Sequence, residues 1–133
     1  TVGNATGAVI IAAGTKSGSH LRSSQTTPAV LTVTGASAVT CTDGAGTAAL
    51  CTDMRGQARA TPLADTAAFV VTFDKAYTVA PVCTISAGNA ATALDMSTAG
   101  IKPAVTTSVT AMTITPSAAW VAVAHIFNYV CVE

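Results

Sequence analysis

Charged residues are scarce in this chain, which has six basic and six acidic residues among 133 and a formal net charge of zero. Nucleic-acid binding requires lysine and arginine clustered on one surface. The sequence contains no such cluster, so we predict no nucleic-acid partner. The longest segment without charge, residues 103–132, is interrupted by proline, asparagine and many hydroxyl side chains. It is therefore not a membrane helix, and we predict no membrane insertion.

Large side chains are scarce as well. Only six residues are aromatic, whereas alanine, threonine and valine make up half of the chain, with 28, 23 and 15 copies. Small side chains bury little apolar area each, so a monomer of this composition has a thin core. One domain does not hide all of its apolar surface, and such surface usually marks an interface. We therefore expect obligate self-association.

Helix signals are weak, because valine and threonine favour strands and because glycine and proline recur at short intervals. Alternating positions predict many short strands instead. The longer candidates are 69–73, 79–85, 105–115 and 120–132, and the shorter ones are 8–12, 29–34, 37–41, 47–51 and 56–60. We predict an all-β fold, an antiparallel β-sandwich or barrel-like domain over 20–133, preceded by an extended strand or arm over 1–19.

Three segments have more specific predictions. The strand over 120–132 has apolar residues on both faces, which indicates a central or sandwiched position. The segment 89–102 is predicted to be a helical turn or a long loop. The stretch FDKAYTVAPVCTIS, residues 73–86, is a strand–turn–strand element. Its Pro81 suits an edge, a strand start or a bulge, and the Tyr77 hydroxyl needs a hydrogen-bond partner.

The four cysteines have no C-x-x-C spacing, which makes zinc-ribbon and thioredoxin-like sites improbable. Two disulfides and four buried thiols are both compatible with the sequence. If disulfides form, we predict the pair Cys41–Cys51, which brackets the glycine-rich loop 42–47, and the pair Cys83–Cys131, on strands that can be neighbours.

No motif points to an enzyme. Ser19, His20 and Asp53 have the residue types of a catalytic triad, but such a combination is expected by chance among so many hydroxyl groups. The aspartates occur in turn-like contexts, where this residue commonly closes turns. Neither histidine has metal ligands at close spacing. We therefore predict no catalytic residue, no cofactor and no metal site.

Five residues are candidates for surface recognition or for a subunit interface: Asp53, Arg55, Tyr77, His125 and Trp120. Asp53 and Arg55 form either a bidentate contact across subunits or a solvated turn pair. His125 is predicted to be a hydrogen-bonded core or interface histidine. The loops 42–47, 53–57 and 86–102 are the best candidates for ligand contacts, because loops on a rigid β scaffold carry recognition.

Several blocks of the chain resemble a known class of proteins. The order of HLRSSQTTP at 20–28, TDMRG at 52–56, VTFDKAYTVAPVC at 71–83 and NYVCV at 128–132 is similar to that in the carboxy-terminal domains of tailed-bacteriophage tail fibres and related virion appendages. The resemblance implies a trimeric, β-structured, non-enzymatic tip or knob. It also implies a location on the virion, outside the cell, and contact with a host cell-surface glycan or protein.

A second hypothesis is a self-assembling coat subunit. Tail-fibre chains are usually much longer than 133 residues, and a short chain suits a capsid decoration protein or a pilus-like filament subunit equally well. The apolar run Val2–Ala13 is compatible with a strand that is donated to the next subunit. A trimer is the favoured assembly and a polymer is the alternative.

Overall fold

A computed structural model describes residues 25, 27–43, 51–63, 65–98 and 101–133 of the chain. The predicted arm over 1–19, the strand at 8–12 and nearly all of the strand at 47–51 lie outside these residues. The described elements are β1 (Val30–Val33), β2 (Ser37–Thr42), β3 (Arg55–Thr61), β4 (Phe69–Thr72), β5 (Val82–Ala87), α1 (Ala90–Ser97), β6 (Ala104–Thr107), β7 (Ala111–Thr115) and β8 (His125–Val132).

The strands form two antiparallel sheets of four strands each. The first sheet has the order β1-β4-β7-β6, and the second sheet has the order β2-β3-β8-β5. The two sheets pack face to face around one apolar core, so the all-β sandwich prediction is confirmed. No helix in the described part of the chain has the length and apolarity that are needed to cross a membrane.

Alternation along the strands produces the core. In β8, the side chains of His125, Phe127, Tyr129 and Cys131 point inward, whereas the residues between them are partly or fully exposed. Phe127 meets Phe69 of the first sheet edge to face, with ring centroids 5.2 Å apart. Such aromatic pairs add about 1 kcal/mol beyond the burial of their surface.

The segment predicted as one strand over 105–115 is two strands. Residues 104–107 and 111–115 form the hairpin of β6 and β7, and the chain reverses between them. The Ser108 hydroxyl accepts hydrogen bonds from the backbone N–H groups of Thr110 and Ala111. A serine that satisfies local backbone donors favours a turn over a continuous strand. The single-strand prediction was therefore wrong.

The strand predicted over 120–132 is shorter than expected. It begins at His125, and residues 120–124 form an irregular connection. The predicted central position is confirmed, because β8 pairs with β3 on one side and with β5 on the other. The strand predicted over 79–85 is β5, which begins immediately after Pro81. Proline at this point does not remove a ladder hydrogen bond.

The segment 89–102 contains the helix α1. Asn89 caps it, because its side-chain oxygen accepts a hydrogen bond from the backbone N–H of Thr92. Asparagine is among the best N-cap residues, since it satisfies a donor that the first turn leaves unpaired. The predicted helical turn is thus a helix of eight residues, which packs beside β5 and β8.

Candidate functional site

The outer face of the second sheet carries an apolar cluster at one end. Val82 on β5 and Val132 on β8 are direct partners across the ladder, and Val130 is the next outward residue of β8. Val79 lies near the same end of the sheet, since its N–H donates to the carboxylate of Glu133, the residue after Val132. We call these four residues the valine patch; Val79, Val82, Val130 and Val132 are 64%, 69%, 51% and 55% exposed.

The centre of the same face is polar. The Gln57 side-chain amide donates to the Asn128 oxygen at 2.9 Å, and the Asn128 amide donates to the Ser86 hydroxyl at 3.4 Å. These three residues lie on β3, β8 and β5 and form a hydrogen-bonded row across the sheet. Two exposed arginines, Arg55 and Arg59, lie on β3 on either side of Gln57.

Asp53 is buried, and its carboxylate holds a turn in place. It accepts hydrogen bonds from the backbone N–H groups of Asp74 at 2.8 Å and Lys75 at 3.1 Å, and from the Gln25 amide at 3.0 Å. Its own N–H donates to the Gln25 oxygen. The alternatives for Asp53 were a contact across subunits and a solvated turn pair with Arg55. The Asp53 carboxylate instead accepts hydrogen bonds from Gln25, Asp74 and Lys75 of its own chain, and it makes no pair with Arg55.

Tyr77 closes the same arrangement. Its hydroxyl donates to the Asp53 carbonyl oxygen at 3.0 Å, and its ring meets Phe73 edge to face at 5.0 Å. The predicted partner for the hydroxyl is therefore a backbone carbonyl. Burial, followed by the negative charges of Asp53 and Glu133, raises the pKa of Tyr77 above its usual value of 10.0. The strand–turn–strand element of residues 73–86 is attached by these contacts to the segment that precedes β3.

Trp120 and His125 are core residues and not surface residues. Trp120 is 1% exposed, and its indole N–H donates to the Ala67 carbonyl oxygen at 2.7 Å. Its ring packs against Phe69, Phe127 and His125. The interpretation of Trp120 as a surface recognition residue was wrong, because the connection 120–124 turns the indole inward. His125 is fully buried within the chain.

His125 is hydrogen-bonded to a buried carboxylate. Its Nδ1 lies 2.8 Å from the carbonyl oxygen of Val123, and its Nε2 lies 2.6 Å from Oδ2 of Asp95. A carbonyl oxygen only accepts, so Nδ1 carries hydrogen. The contact at Nε2 is a second hydrogen bond, to the carboxylate. The pair joins α1 to the start of β8.

Two further side chains fasten α1 to the same strand. The Asn89 amide donates to the Ala124 carbonyl oxygen at 2.7 Å, and the Thr92 hydroxyl accepts from the Ile126 N–H at 2.8 Å. Thr92 also donates to Asn89 Oδ1 at 2.6 Å. Each buried polar group is thereby satisfied, which removes the cost of burying it unpaired. The cluster therefore has a structural role in positioning the helix.

Both predicted disulfides are present. Cys41 is bonded to Cys51, with Cα atoms 5.3 Å apart, and Cys83 is bonded to Cys131, with Cα atoms 4.1 Å apart. Cys83 and Cys131 are direct partners across β5 and β8. Disulfides persist in oxidising compartments, so the two disulfides indicate an extracellular protein.

The predicted recognition loops are only partly described. Most of the 42–47 loop, together with Ser19 and His20, lies outside the described residues. The 53–57 loop is shorter than expected, because Arg55 already begins β3. Among the described residues, no group of three or more histidine, cysteine or acidic side chains is positioned to hold a metal ion.

No protein-family model matches this sequence, and no curated protein or solved structure matches the chain either.

Sequence reasoning missed the roles of Asp95, Asn89 and Thr92, and it missed the row of Gln57, Asn128 and Ser86. Asparagine directly before an alanine-rich run is a recognisable helix start, so the Asn89 cap had a local signal. The row had none, because β3, β5 and β8 are distant in sequence and the order of strands decides which side chains meet.

Proposed function

We propose that this protein is a non-enzymatic virion module that assembles with two further copies of itself and contacts a host surface. This is the role that the resemblance to tail-fibre tips implies. The fold and the disulfides are compatible with it, since both suit a rigid domain outside the cell.

The observation that carries the proposal is the valine patch. Its four members are each more than half exposed, and three of them are neighbours on one sheet surface. Soluble proteins seldom leave contiguous apolar side chains in water unless a partner covers them. Valine is also stiff, so it loses little side-chain entropy when an interface forms.

The two buried carboxylates, of Asp53 and Asp95, favour a structural role over a catalytic one. The Asp53 carboxylate is occupied by backbone donors, and the Asp95 carboxylate is occupied by His125. Neither carboxylate is directed at open space, because both residues are buried. General acid–base catalysis requires a group within reach of a substrate proton, and these groups instead hold the elements of the domain together.

The proposal is tested by absolute mass in solution, measured by light scattering across a range of protein concentrations. We expect a trimer whose mass does not change with dilution. The double variant Val82→Lys with Val132→Lys should be a folded monomer, because two desolvated charges oppose contact at the patch. The matched control is Val30→Lys, an equally exposed valine on the first sheet, which should remain trimeric.

Other outcomes would contradict the proposal in different ways. A monomeric wild-type protein at every concentration would exclude the trimeric assembly. A species that grows without limit would favour the coat or filament hypothesis, and deletion of residues 2–13 would then test strand donation. If Val30→Lys disrupts the trimer and the double patch variant does not, the interface is on the first sheet.

A further inference from the structure

We infer that the outer face of the second sheet binds a carboxylate-bearing glycan, with Arg55 and Arg59 holding acidic groups and the row Gln57–Asn128–Ser86 holding hydroxyl groups. This inference rests on the proposed recognition function and assigns it a surface and a class of ligand. Three observations on this face carry it: its charge, its polar row and its shape.

The strands of this face carry charge of one sign, and the nearest acidic residues along them, Asp43 and Glu133, lie just beyond the ends of β2 and β8. No aspartate or glutamate occurs in β2, β3, β5 or β8, whereas β3 carries two exposed arginines. Among the described residues, neither Arg55 nor Arg59 has an ion-pair partner for its guanidinium group. An arginine fork matches a carboxylate in two parallel hydrogen bonds, so an anionic ligand complements this face.

The spacing of the two arginines favours an extended ligand. They are four residues apart on one strand, so their Cα atoms are about 13 Å apart. Outward side chains on a strand stand roughly parallel to one another, so two acidic groups spaced along a ligand match the two guanidinium groups better than one small anion does. The length of such a polymer would run along β3 across Gln57.

The polar row supplies the chemistry that hydroxyl-rich ligands require. Side-chain amides both donate and accept, and the Ser86 hydroxyl does the same. The contacts from Asn128 to Ser86 and to the Ala87 carbonyl oxygen are long, at 3.4 Å each. Such weak bonds can be exchanged for bonds to sugar hydroxyls at little cost. A glycan fits this combination better than an apolar peptide.

The surface between β5 and β8 also has a suitable shape. An open depression of about 100 Å³ is lined by Thr84, Ile85, Ser86, Asn128, Tyr129 and Val130. Enclosed sites for whole small molecules usually have volumes of roughly 300–1,000 Å³. This depression is too small and too open for such a ligand, so it suits contact with one part of a longer chain.

The proposed ligand surface adjoins the valine patch, because Arg55 is the direct partner of Val130 across the ladder. Asn128 pairs with Ser86 and Gln57 in the middle of the sheet, whereas Val132 pairs with Val82 at one end. Arg59 lies beyond the row, on the side away from the patch, where it pairs with Ile126. A subunit interface centred on Val82 and Val132 leaves the row and Arg59 accessible, and Arg55 lies at the border between the two surfaces.

The experiment measures binding of a defined-length oligogalacturonate to the full chain by titration calorimetry. The comparison ligand is its methyl ester, which has the same sugars without the charge. We expect the acid to bind and the ester to bind much more weakly. Arg55→Gln and Arg59→Gln should each weaken binding of the acid about tenfold, which is the scale of one charge-assisted contact. Added salt should weaken binding further.

The matched control is Lys102→Gln, which removes one positive charge from the connection after α1 and should leave the affinity unchanged. Both arginines are exposed, so their replacement should leave the unfolding midpoint unchanged, and thermal unfolding checks this. The inference is overturned if wild type does not bind the acid, if acid and ester bind equally, or if Lys102→Gln weakens binding as much as the arginine variants. Equally tight binding of dextran sulfate, with no dependence on sugar or acid type, would also overturn it.

The same samples separate this inference from the proposed assembly. Light scattering on each variant reports the oligomeric state independently of binding. A monomer that binds the acid through Arg55 and Arg59 would refute the trimer and retain the glycan surface. A trimer that does not bind the acid would retain the proposed assembly and refute the glycan surface.

Discussion

The two sheets of this sandwich are stabilised by different means, although each has four strands. The first sheet contains no cysteine, and its core residues are large and apolar: Leu31, Val33, Phe69, Val71, Met112 and Ile114. The second sheet contributes one large apolar residue, Phe127, and the small residues Ala58 and Ala60, together with polar Tyr129 and His125. Three of the four half-cystines are in its strands. Where large apolar side chains are fewer, covalent links and buried hydrogen bonds supplement them.

The outer faces of the sheets differ as well. The strands of the first sheet contain no charged residue, and their outward positions are mostly threonine, valine and alanine. The second sheet carries two arginines, two amides and the valine patch on its outer face. The sheet with the weaker apolar core is therefore the one with the chemically richer surface. We infer that the disulfides stabilise the second sheet enough for its outer face to carry these polar and charged residues.

The largest expected effect comes from removing the disulfide of the second sheet. Cys83→Ala with Cys131→Ala opens a loop with a sequence separation of 48, and we expect a loss of about 4 kcal/mol in the free energy of unfolding. The corresponding Cys41→Ala with Cys51→Ala variant opens a separation of 10 and should cost about 3 kcal/mol. Urea unfolding measures both. A loss under about 1 kcal/mol for either pair would show that packing alone stabilises this sheet.

A smaller loss is expected when the buried polar pair is broken. Asp95→Ala leaves His125 Nε2 buried without a partner and should cost about 3 kcal/mol. Asp95→Asn should cost only about 1 kcal/mol, because the amide can donate to a neutral imidazole. The control is Asp74→Ala, whose side chain is exposed. Equal urea midpoints for the alanine and asparagine variants would contradict this account of the pair.

The smallest effect concerns Tyr129, whose hydroxyl donates to the Thr52 carbonyl oxygen at 2.6 Å. Tyr129→Phe should cost about 1 kcal/mol at neutral pH, because it leaves that oxygen without its donor. Burial, followed by the charge of Asp53, raises the pKa of Tyr129 well above its usual 10.0. The neutral phenol is favoured in the folded state, so its stabilising contribution is complete below about pH 10 and is lost as the pH rises further.

Alkaline unfolding provides the measurement for Tyr129. Wild type should lose stability above about pH 10, and Tyr129→Phe should lose less over the same interval. Tyr77, whose pKa is also raised, should account for part of the remaining decline. Identical slopes for wild type and variant above pH 10 would assign the alkaline transition to other groups.

The fold class and most strands were predictable because they depend on local alternation. β1 to β5 and β8 each contain an alternating run that is visible in the sequence. The hairpin of β6 and β7 was not recognised, because the segment around Ser108 has the same threonine-rich composition as its flanks. Its turn depends on one hydroxyl that bonds to the backbone. The alternating pattern of side chains also continues through residues 120–124, which led to the prediction of a strand there. In the structure this segment is an irregular connection that turns Trp120 into the core.

The disulfide pairing was predictable from the placement of cysteines on loops and strands, but the roles of the polar residues were not. Asp53 and Asp95 are both aspartates in apparently turn-like contexts, and both are buried with specific partners. Their partners lie 21 to 30 residues away, at Asp74 and His125. Only the folded arrangement distinguishes a carboxylate that holds a turn from one that is solvated.

The bond between Cys83 and Cys131 has a mechanical consequence. When the chain is pulled from both sides of this bond, the residues between the two cysteines cannot be extended, because the pulling force passes directly through the sulfur atoms. With a sequence separation of 48, this removes about 160 Å from the length to which the chain could otherwise be drawn out. The β6–β7 hairpin, α1 and most of β8 lie inside the protected segment. A domain that adheres to one body while it is attached to another would keep these elements unstretched under load.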